Sequence, residues 1–151
     1  MPLRILIACV LVVVTVTIHA VGFSLLLRAL MRSHALTTTG FWQATWLVIG
    51  LTSWLLLIHL AEIAVWGQCY FWLGCFPDVE SAHYFSGVTY TTVGYGDLVL
   101  PKQWRVLAPI EALTGLLMCG LSTGLFFAVT SRRISYWMKE RTSLNQMKEG
   151  L

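Results

Sequence analysis

One short segment of the chain has residue types suited to holding a dehydrated monovalent cation. It consists of Thr92, Val93, Gly94, Tyr95, Gly96 and Asp97. Its first five residues offer only neutral oxygens, from the Thr92 hydroxyl and the carbonyls of residues 92–95, whereas divalent ions favour carboxylates. Glycine tolerates backbone angles that other residues rarely adopt. Successive carbonyls can therefore turn toward one axis, with the Val93 and Tyr95 side chains expected to point away into supporting protein.

The residues before this segment predict a short helix that enters a membrane without crossing it. Pro77 precedes Asp78, which is a good N-cap residue, and Glu80 falls in the first turn. A helix from there to about Thr91 has a length of roughly 20 Å, against a hydrocarbon core of about 30 Å. Non-helical backbone at that depth must be buried in protein or line a wet cavity. We expect the 92–97 segment to line such a cavity.

Three long apolar runs predict the transmembrane helices that surround this segment. The chain is 57% hydrophobic and only 11% charged, which is outside the usual range of soluble proteins. The runs cover residues 5–27, 46–66 and about 106–129, each close to the roughly 20 residues that span a bilayer. A cleavable signal peptide is disfavoured for the first run, because its apolar part exceeds the usual 7–15 residues. The expected fold class is an all-α membrane protein.

The basic residues predict the orientation of these spans. Arg28 and Arg32 follow the first run, and a second basic group follows the third, so both segments are expected in the cytoplasm. The amino terminus and residues 67–105 would then lie outside. The net charge of +3 is spread along the chain without a nucleic-acid-binding pattern, so no nucleic-acid partner is expected.

Other chemistry has little support in the sequence. No nucleotide-binding loop, hydrolase triad order or zinc-protease motif is present, so we expect neither an enzyme nor a cofactor. Of the four cysteines, only Cys69 and Cys75 share the predicted external loop. A disulfide between them is possible in an oxidising compartment, but two unlinked thiols are favoured.

A resemblance to a known family rests on one motif and its surroundings. The motif is Thr92-Val93-Gly94-Tyr95-Gly96, and it has a predicted short helix before it and a complete span after it. Residues 46 to about 133 resemble the two-helix pore module of small bacterial potassium channels. The resemblance implies a homotetramer in a bacterial inner membrane, with potassium passing the oxygens of residues 92–95. The second span would be the outer helix and the third the pore-lining inner helix. Many relatives carry a tryptophan pair where this chain has Tyr84-Phe85.

Together these features divide the chain into three parts. Residues 1–45 would hold an additional transmembrane helix and a cytoplasmic turn, 46–130 the pore module, and 131–151 a basic cytoplasmic tail. The expected function is passive potassium conduction. A non-conducting accessory subunit and a one-module fragment of an ion-uptake transporter are the alternatives.

Polar residues inside membrane spans are costly to bury, so each one is treated as a candidate for a functional role. Glu62 and Glu111 fall at similar depths near the 92–97 segment and, with Tyr84, are candidates for supporting it. Glu111 is expected to carry a proton and to bond the backbone near Thr89 and Tyr90, a hydroxyl such as that of Tyr84, or His59 and Glu62. It would brace the 92–97 segment from behind, with structural packing alone as the alternative. Hydrogen bonds in helix packing are the preferred interpretation of both intramembrane histidines. His59 shares a helix face with Glu62, whereas His19 is predicted to lie outside this cluster.

The third span and the tail suggest two further roles. The resemblance implies a gating hinge at Gly115, while Gly120 and Gly124 are interpreted as close-packing points. The tail has an apolar stripe flanked by basic residues, and it is expected to lie on anionic lipid, with a tetrameric helix bundle as the alternative. The lipid-binding candidates are Arg132, Arg133, Lys139 and Arg141.

Overall fold

The fold is a bundle of three long helices and one short helix. A computed structural model describes residues 2–32 and 40–149, and the elements of this part are α1 (Pro2–Arg32), α2 (Phe41–Trp72), α3 (Val79–Tyr90) and α4 (Leu107–Glu149). No strand occurs within these described ranges. Three stretches are long and apolar enough to cross a membrane: Pro2–Arg32, Phe41–Trp72 and Leu107–Lys139. The prediction of an all-α membrane protein with three spans and a short fourth helix is confirmed.

The short helix α3 begins at the predicted cap. Asp78 has an extended backbone, and its side chain accepts hydrogen bonds from the Ser81 amide (2.7 Å) and the Ser81 hydroxyl (2.9 Å). The bond from the Ser81 amide lowers the pKa of Asp78, so the cap stays ionised at neutral pH. With its 12 residues α3 is about 18 Å long, too short to cross the membrane.

Helices α1 and α2 pack antiparallel in a register fixed by three contacts. The Trp66 indole donates to Thr15 Oγ1 (2.9 Å), His19 Nδ1 lies 2.8 Å from Glu62 Oε1, and the Trp54 indole donates to the Gly22 carbonyl (3.0 Å). Hydropathy does not fix this register. Aligning the midpoints of the predicted spans would put His19 opposite Ser53, roughly 13 Å along α2 from Glu62.

The interior contains two hydrophobic clusters with polar residues between them. One cluster surrounds the end of α2, where the start of α1 and helix α3 both pack on it, and includes Leu11, Trp66, Tyr70 and Phe85. The other lies toward the end of α1 and consists of Leu26, Leu30, Leu51, Leu55, Ile58 and Val129. His19, Glu62 and Ser122 are buried in the layer between them.

The two basic segments lie at the same end of the bundle. Leu26 and Leu30 of α1 share a cluster with Val129 of α4, and Arg133 Nη2 donates to the Gly40 carbonyl (3.3 Å). Residues 33–39, most of the predicted turn, lie outside the described residues. Helix α4 continues past residue 130 without interruption, so the basic tail, as far as it is described, is a continuation of the inner helix.

Candidate functional site

The 92–97 segment has a backbone in which positive φ values alternate along the chain. Thr92, Gly94 and Gly96 have φ angles of 61°, 56° and 77°, whereas Val93 and Tyr95 lie outside the positive region. Left-handed angles at every second residue re-aim the peptide groups, so we expect the successive carbonyls of this segment to turn toward one side of the chain. Within the described residues, no carbonyl from Thr92 to Gly96 accepts a hydrogen bond. A row of free carbonyl oxygens is therefore available to a cation.

The last turn of α3 fixes the start of this row. The Thr92 amide donates to the Thr89 carbonyl (2.9 Å), and the Val93 and Gly94 amides donate to the Val88 carbonyl (3.0 and 3.2 Å). A positive φ at a β-branched residue such as Thr92 costs energy and persists only where its surroundings impose it. These three bonds impose it, so the position of the segment depends on the position of α3.

Tyr84 holds the acidic end of the segment. Its hydroxyl donates to Asp97 Oδ2 (2.7 Å), and the Leu98 amide donates to Asp97 Oδ1 (3.0 Å). The hydrogen bond from Tyr84 is the main cause that lowers the pKa of Asp97, and the same bond raises the pKa of Tyr84. The predicted support by Tyr84 thus acts on Asp97, and the suggested bond between Tyr84 and Glu111 is not formed.

Glu111 connects α4 to both α2 and α3. It is fully buried, receives a hydrogen bond from the Tyr70 hydroxyl (2.6 Å), and lies 2.5 Å from Ser86 Oγ. Ser86 Oγ also lies 2.9 Å from the Ile63 carbonyl. A serine hydroxyl has a single hydrogen, so both Ser86 contacts are satisfied only when Glu111 is protonated and donates to Ser86. This count supports the predicted neutral Glu111.

A hydroxyl partner was among those predicted for Glu111, and the structure provides two, from Tyr70 and Ser86. The residues named in that prediction were wrong: the backbone near Thr89 and Tyr90, the Tyr84 hydroxyl, and the pair of His59 and Glu62. Glu111 instead faces the middle of α3 at Ser86, about one helical turn before Tyr90. The sequence does contain an acid inside a span together with serine and tyrosine residues that could bond to it. Residue spacing along one helix, however, does not predict which face of another helix that acid meets.

Glu62 lies in a separate group of polar residues. The Tyr90 hydroxyl donates to Glu62 Oε2, and His59 Nδ1 lies 3.4 Å from the same oxygen, as expected for residues on one face of α2. His19 Nδ1 is 2.8 Å from Glu62 Oε1. The prediction that His19 lies outside this cluster was wrong, because the packing register of α1 differs from the one estimated by depth.

Gly115 lies where α4 approaches the end of α3 most closely. A Cβ at this position would overlap the Tyr90 carbonyl oxygen and lie 3.0 Å from Tyr90 Cγ. Packing therefore requires glycine here, and the hinge stays a prediction. A Cβ at Gly120 or Gly124 would meet nothing within 4 Å, so the packing expected at these two positions is not found inside the subunit.

The side chains of the 92–97 segment are largely uncovered in the single chain. Val93 is 52% exposed and Tyr95 is 72% exposed, so the supporting protein expected around them does not come from their own subunit. A groove of about 370 Å³ lies beside them, lined by residues that include Tyr84, Thr89 and Pro109. Cys69 and Cys75 are unlinked, as favoured from the sequence.

Comparison with known proteins indicates the class of domain to which these residues belong. Residues 58–132 match a family model described as an ion channel. The match runs from the second half of α2 through α3 and the 92–97 segment into α4, and the family comprises channels rather than enzymes, as expected. A search of curated proteins and a search of solved structures each found no match. The chain is thus an all-helical membrane protein with an ion-channel domain.

Proposed function

We propose that the chain is one subunit of a potassium-selective channel, in which the 92–97 segment acts as the filter and conduction is passive. The row of free carbonyl oxygens, set by alternating φ at Thr92, Gly94 and Gly96, is the observation that carries this proposal. Neutral backbone oxygens can replace the hydration shell of a potassium ion.

One chain supplies only one wall of such a site, so several subunits must meet. We propose four, by resemblance to small bacterial potassium channels. The exposure of Val93 and Tyr95 supports an assembly in which neighbouring copies cover these side chains. The groove beside Tyr84 and Pro109 could receive an aromatic side chain from the next subunit. A closed ring of identical subunits is a common form of membrane and soluble oligomers.

The location and orientation follow from the same proposal. The basic ends of α1 and α4 lie together and would face the cytoplasm of a bacterium, with the filter near the outer surface of its inner membrane. Arg132, Arg133, Lys139 and Arg141 would then be close to anionic lipid headgroups.

Ion flux is the test of this function. Purified protein in liposomes should pass potassium down its gradient and pass sodium far more slowly, and native mass measurement in detergent should give a tetramer. A tetramer that passes neither ion would support the accessory-subunit alternative. Equal potassium and sodium flux would remove the assignment of the filter, and a conducting monomer or dimer would remove the assembly.

A further inference from the structure

A closed ring of five polar side chains joins all four helices between the two hydrophobic clusters. Its members are His19 of α1, His59 and Glu62 of α2, Tyr90 of α3 and Ser122 of α4. His19, Glu62, Tyr90 and Ser122 are buried, and His59 is partly buried. Buried polar atoms in proteins are almost always hydrogen-bonded, so the bonding of this group can be counted.

Each member is linked to two others, and the further contact of His59 Nδ1 with Glu62 Oε2 (3.4 Å) uses the same nitrogen that contacts Tyr90. Glu62 Oε1 lies 2.8 Å from His19 Nδ1, and His19 Nε2 lies 3.5 Å from Ser122 Oγ. Ser122 Oγ lies 2.9 Å from His59 Nε2, and His59 Nδ1 lies 2.9 Å from the Tyr90 hydroxyl. The Tyr90 hydroxyl donates to Glu62 Oε2 and closes the ring.

With the 3.5 Å contact between His19 and Ser122 counted as the fifth bond, the ring lacks one proton in its ordinary ionisation states. Five links need five hydrogens, and an ionised Glu62 contributes none. Two neutral imidazoles, one phenol and one serine hydroxyl contribute one hydrogen each, which makes four. The single Ser122 hydrogen cannot serve both histidine Nε2 atoms. One added proton, on a histidine or on Glu62, completes all five links.

Charge leads to the same number independently. A carboxylate buried without compensation is strongly unfavourable, and one added proton makes the net charge of the ring zero. A second added proton would give six hydrogens for five links and a buried positive charge. Hydrogen bonding and neutrality therefore both require a single proton.

We infer that these five side chains form a binding site for one proton, and that this protonated ring positions the filter. The second part rests on the proposed function. Tyr90 is the last residue of α3, and the amides of Thr92, Val93 and Gly94 are bonded to carbonyls of the same helical turn. Loss of the proton would break one link and release Tyr90 from part of its support. Through His19, the first helix becomes part of that support.

A metal ion fits these side chains less well than a proton does. One nitrogen or oxygen from each of His19, His59 and Glu62 lies within 4.8 Å of the others, a set that zinc often uses. His19 Nδ1 and Glu62 Oε1 are, however, 2.8 Å apart, which is a hydrogen-bond distance. Two ligands of a tetrahedral zinc ion stand about 3.3 Å apart, given bonds of about 2.0 Å.

Among the described residues, two other titratable groups interact electrostatically with members of the ring, and both belong to α4. Cys119 interacts electrostatically with Glu62 and Tyr90, and Glu111 interacts with Tyr90. Around His19, the neighbouring rings are Phe23 and His59, with centroids at 4.5 and 5.4 Å. Glu111 is hydrogen-bonded to Tyr70 and Ser86. Because it also interacts with Tyr90, the protons of the ring must be counted in protein with Glu111 unsubstituted.

The proton can be counted directly by magnetic resonance in liposomes. Histidine ring nitrogens and glutamate carboxyl carbons are isotopically labelled in protein carrying His34→Gln and His83→Gln, so that the histidine signals come from the ring alone. His19, His59 and Glu62 together should carry three hydrogens. In Glu62→Gln the amide N–H donates to His19 and the amide oxygen accepts from Tyr90, so the two histidines should carry two. A total of two or four in the unsubstituted ring, or three on the histidines of Glu62→Gln, overturns the proton site.

Flux measurements test the positioning role separately. Ser122→Ala and Tyr90→Phe each break the ring with little change in shape, and should lower the potassium-to-sodium flux ratio about tenfold, equivalent to about 1.4 kcal/mol. Glu62→Gln should retain far more of this ratio than Glu62→Ala. Thr17→Val is the control, because Thr17 is exposed and bonds only the Val13 carbonyl of its own helix.

Unchanged ratios in both Ser122→Ala and Tyr90→Phe overturn the positioning role. If the unsubstituted protein does not conduct, the proposed function fails. The proton site is still tested in that case, because the magnetic resonance count does not depend on conduction.

Discussion

Thr92, Gly94 and Gly96 show how single residues can set the course of the backbone. Their positive φ angles alternate with residues outside the positive region, and we expect this alternation to turn the carbonyls between them toward one side. Gly94 and Gly96 adopt these angles at little cost, whereas Thr92 requires the hydrogen bonds of α3 to hold it. Most of the oxygens that this segment offers to a cation are therefore positioned by backbone conformation rather than by side-chain chemistry.

Gly94→Ala tests this dependence on conformation. Alanine in the left-handed region costs roughly 1–2 kcal/mol, and this cost recurs in every subunit of an oligomer. We expect potassium flux to collapse or to lose its preference over sodium in liposomes. Gly50→Ala is the matched control, because an added Cβ there meets nothing within 4 Å and its φ is not positive. Unchanged selectivity in Gly94→Ala would contradict the role of this backbone.

The bond between Tyr84 and Asp97 predicts a change in acid sensitivity. Because this bond lowers the pKa of Asp97, Asp97 stays ionised until the pH falls through that lowered pKa. In Tyr84→Phe the pKa of Asp97 should return toward its usual range, so external acid should inhibit potassium flux at a higher pH than in the unsubstituted protein. Tyr136→Phe, an exposed tyrosine in the tail, is the control. Identical acid inhibition in all three proteins would argue against this role of Tyr84.

Helix α3 is the element on which the 92–97 segment depends, and its neighbours hold it at three places. Ser86 in its middle contacts Glu111, the Tyr90 hydroxyl at its end belongs to the five-residue ring, and its last carbonyl packs on Gly115. Asp78 caps its start. The helix is therefore fixed along its whole length, as a support for a precise backbone must be.

Glu111 is expected to contribute to the stability of this arrangement. Glu111→Ala leaves the Tyr70 hydroxyl without its buried partner and leaves Ser86 with the Ile63 carbonyl alone, at a cost of about 1–3 kcal/mol. A less stable assembly or a filter that inactivates readily should result. Glu111→Gln keeps the shape and a donor, so it should retain more thermal stability and flux than Glu111→Ala. The comparison is made by thermal unfolding in detergent and by potassium flux, and wild-type behaviour of Glu111→Ala would remove Glu111 from the site.

Gly115 provides a test of packing between α3 and α4. Gly115→Ala places a methyl group against the Tyr90 carbonyl and should destabilise the protein by about 1–3 kcal/mol, the usual cost of overpacking. Gly120→Ala meets no atom of its own subunit within 4 Å and should leave the stability of the subunit fold nearly unchanged. Thermal unfolding measures both. Equal stabilities would show that α4 moves aside readily at Gly115.

At the scale of the whole molecule, the basic ends of α1 and α4 lie at one end of the bundle, and the start of α1 lies beside Trp104 at the other end. Arg133 contacts the Gly40 carbonyl at one end, whereas Arg4 lies 6.0 Å from the Trp104 ring at the other. Such charge asymmetry orients membrane proteins with the more basic loops inside.

Cysteine labelling tests this orientation. In a background with the four native cysteines replaced by alanine, an impermeant thiol reagent added outside cells should label Lys102→Cys. It should label Ser33→Cys only after the cells are opened. The reverse pattern would invert the proposed topology and return the first span to the signal-peptide interpretation.

The sequence by itself determined the features that depend on local chemistry. Apolar length predicted three spans, because backbone in a bilayer must bond internally. Asp78 and Pro77 predicted the start of α3, and the glycines of the 92–97 segment predicted its unusual backbone. Each of these follows from residues within a few positions of one another.

Only the tertiary structure decided which polar residues meet. His19 reaches Glu62, and Glu111 reaches Tyr70 and Ser86, because the helices pack in a register set by side chains such as Trp66 on Thr15. A shift of one helical turn moves a residue by about 5.4 Å and replaces every partner, yet it leaves the hydropathy of each span unchanged. The spans follow from composition, whereas the partners of the buried acids follow from packing.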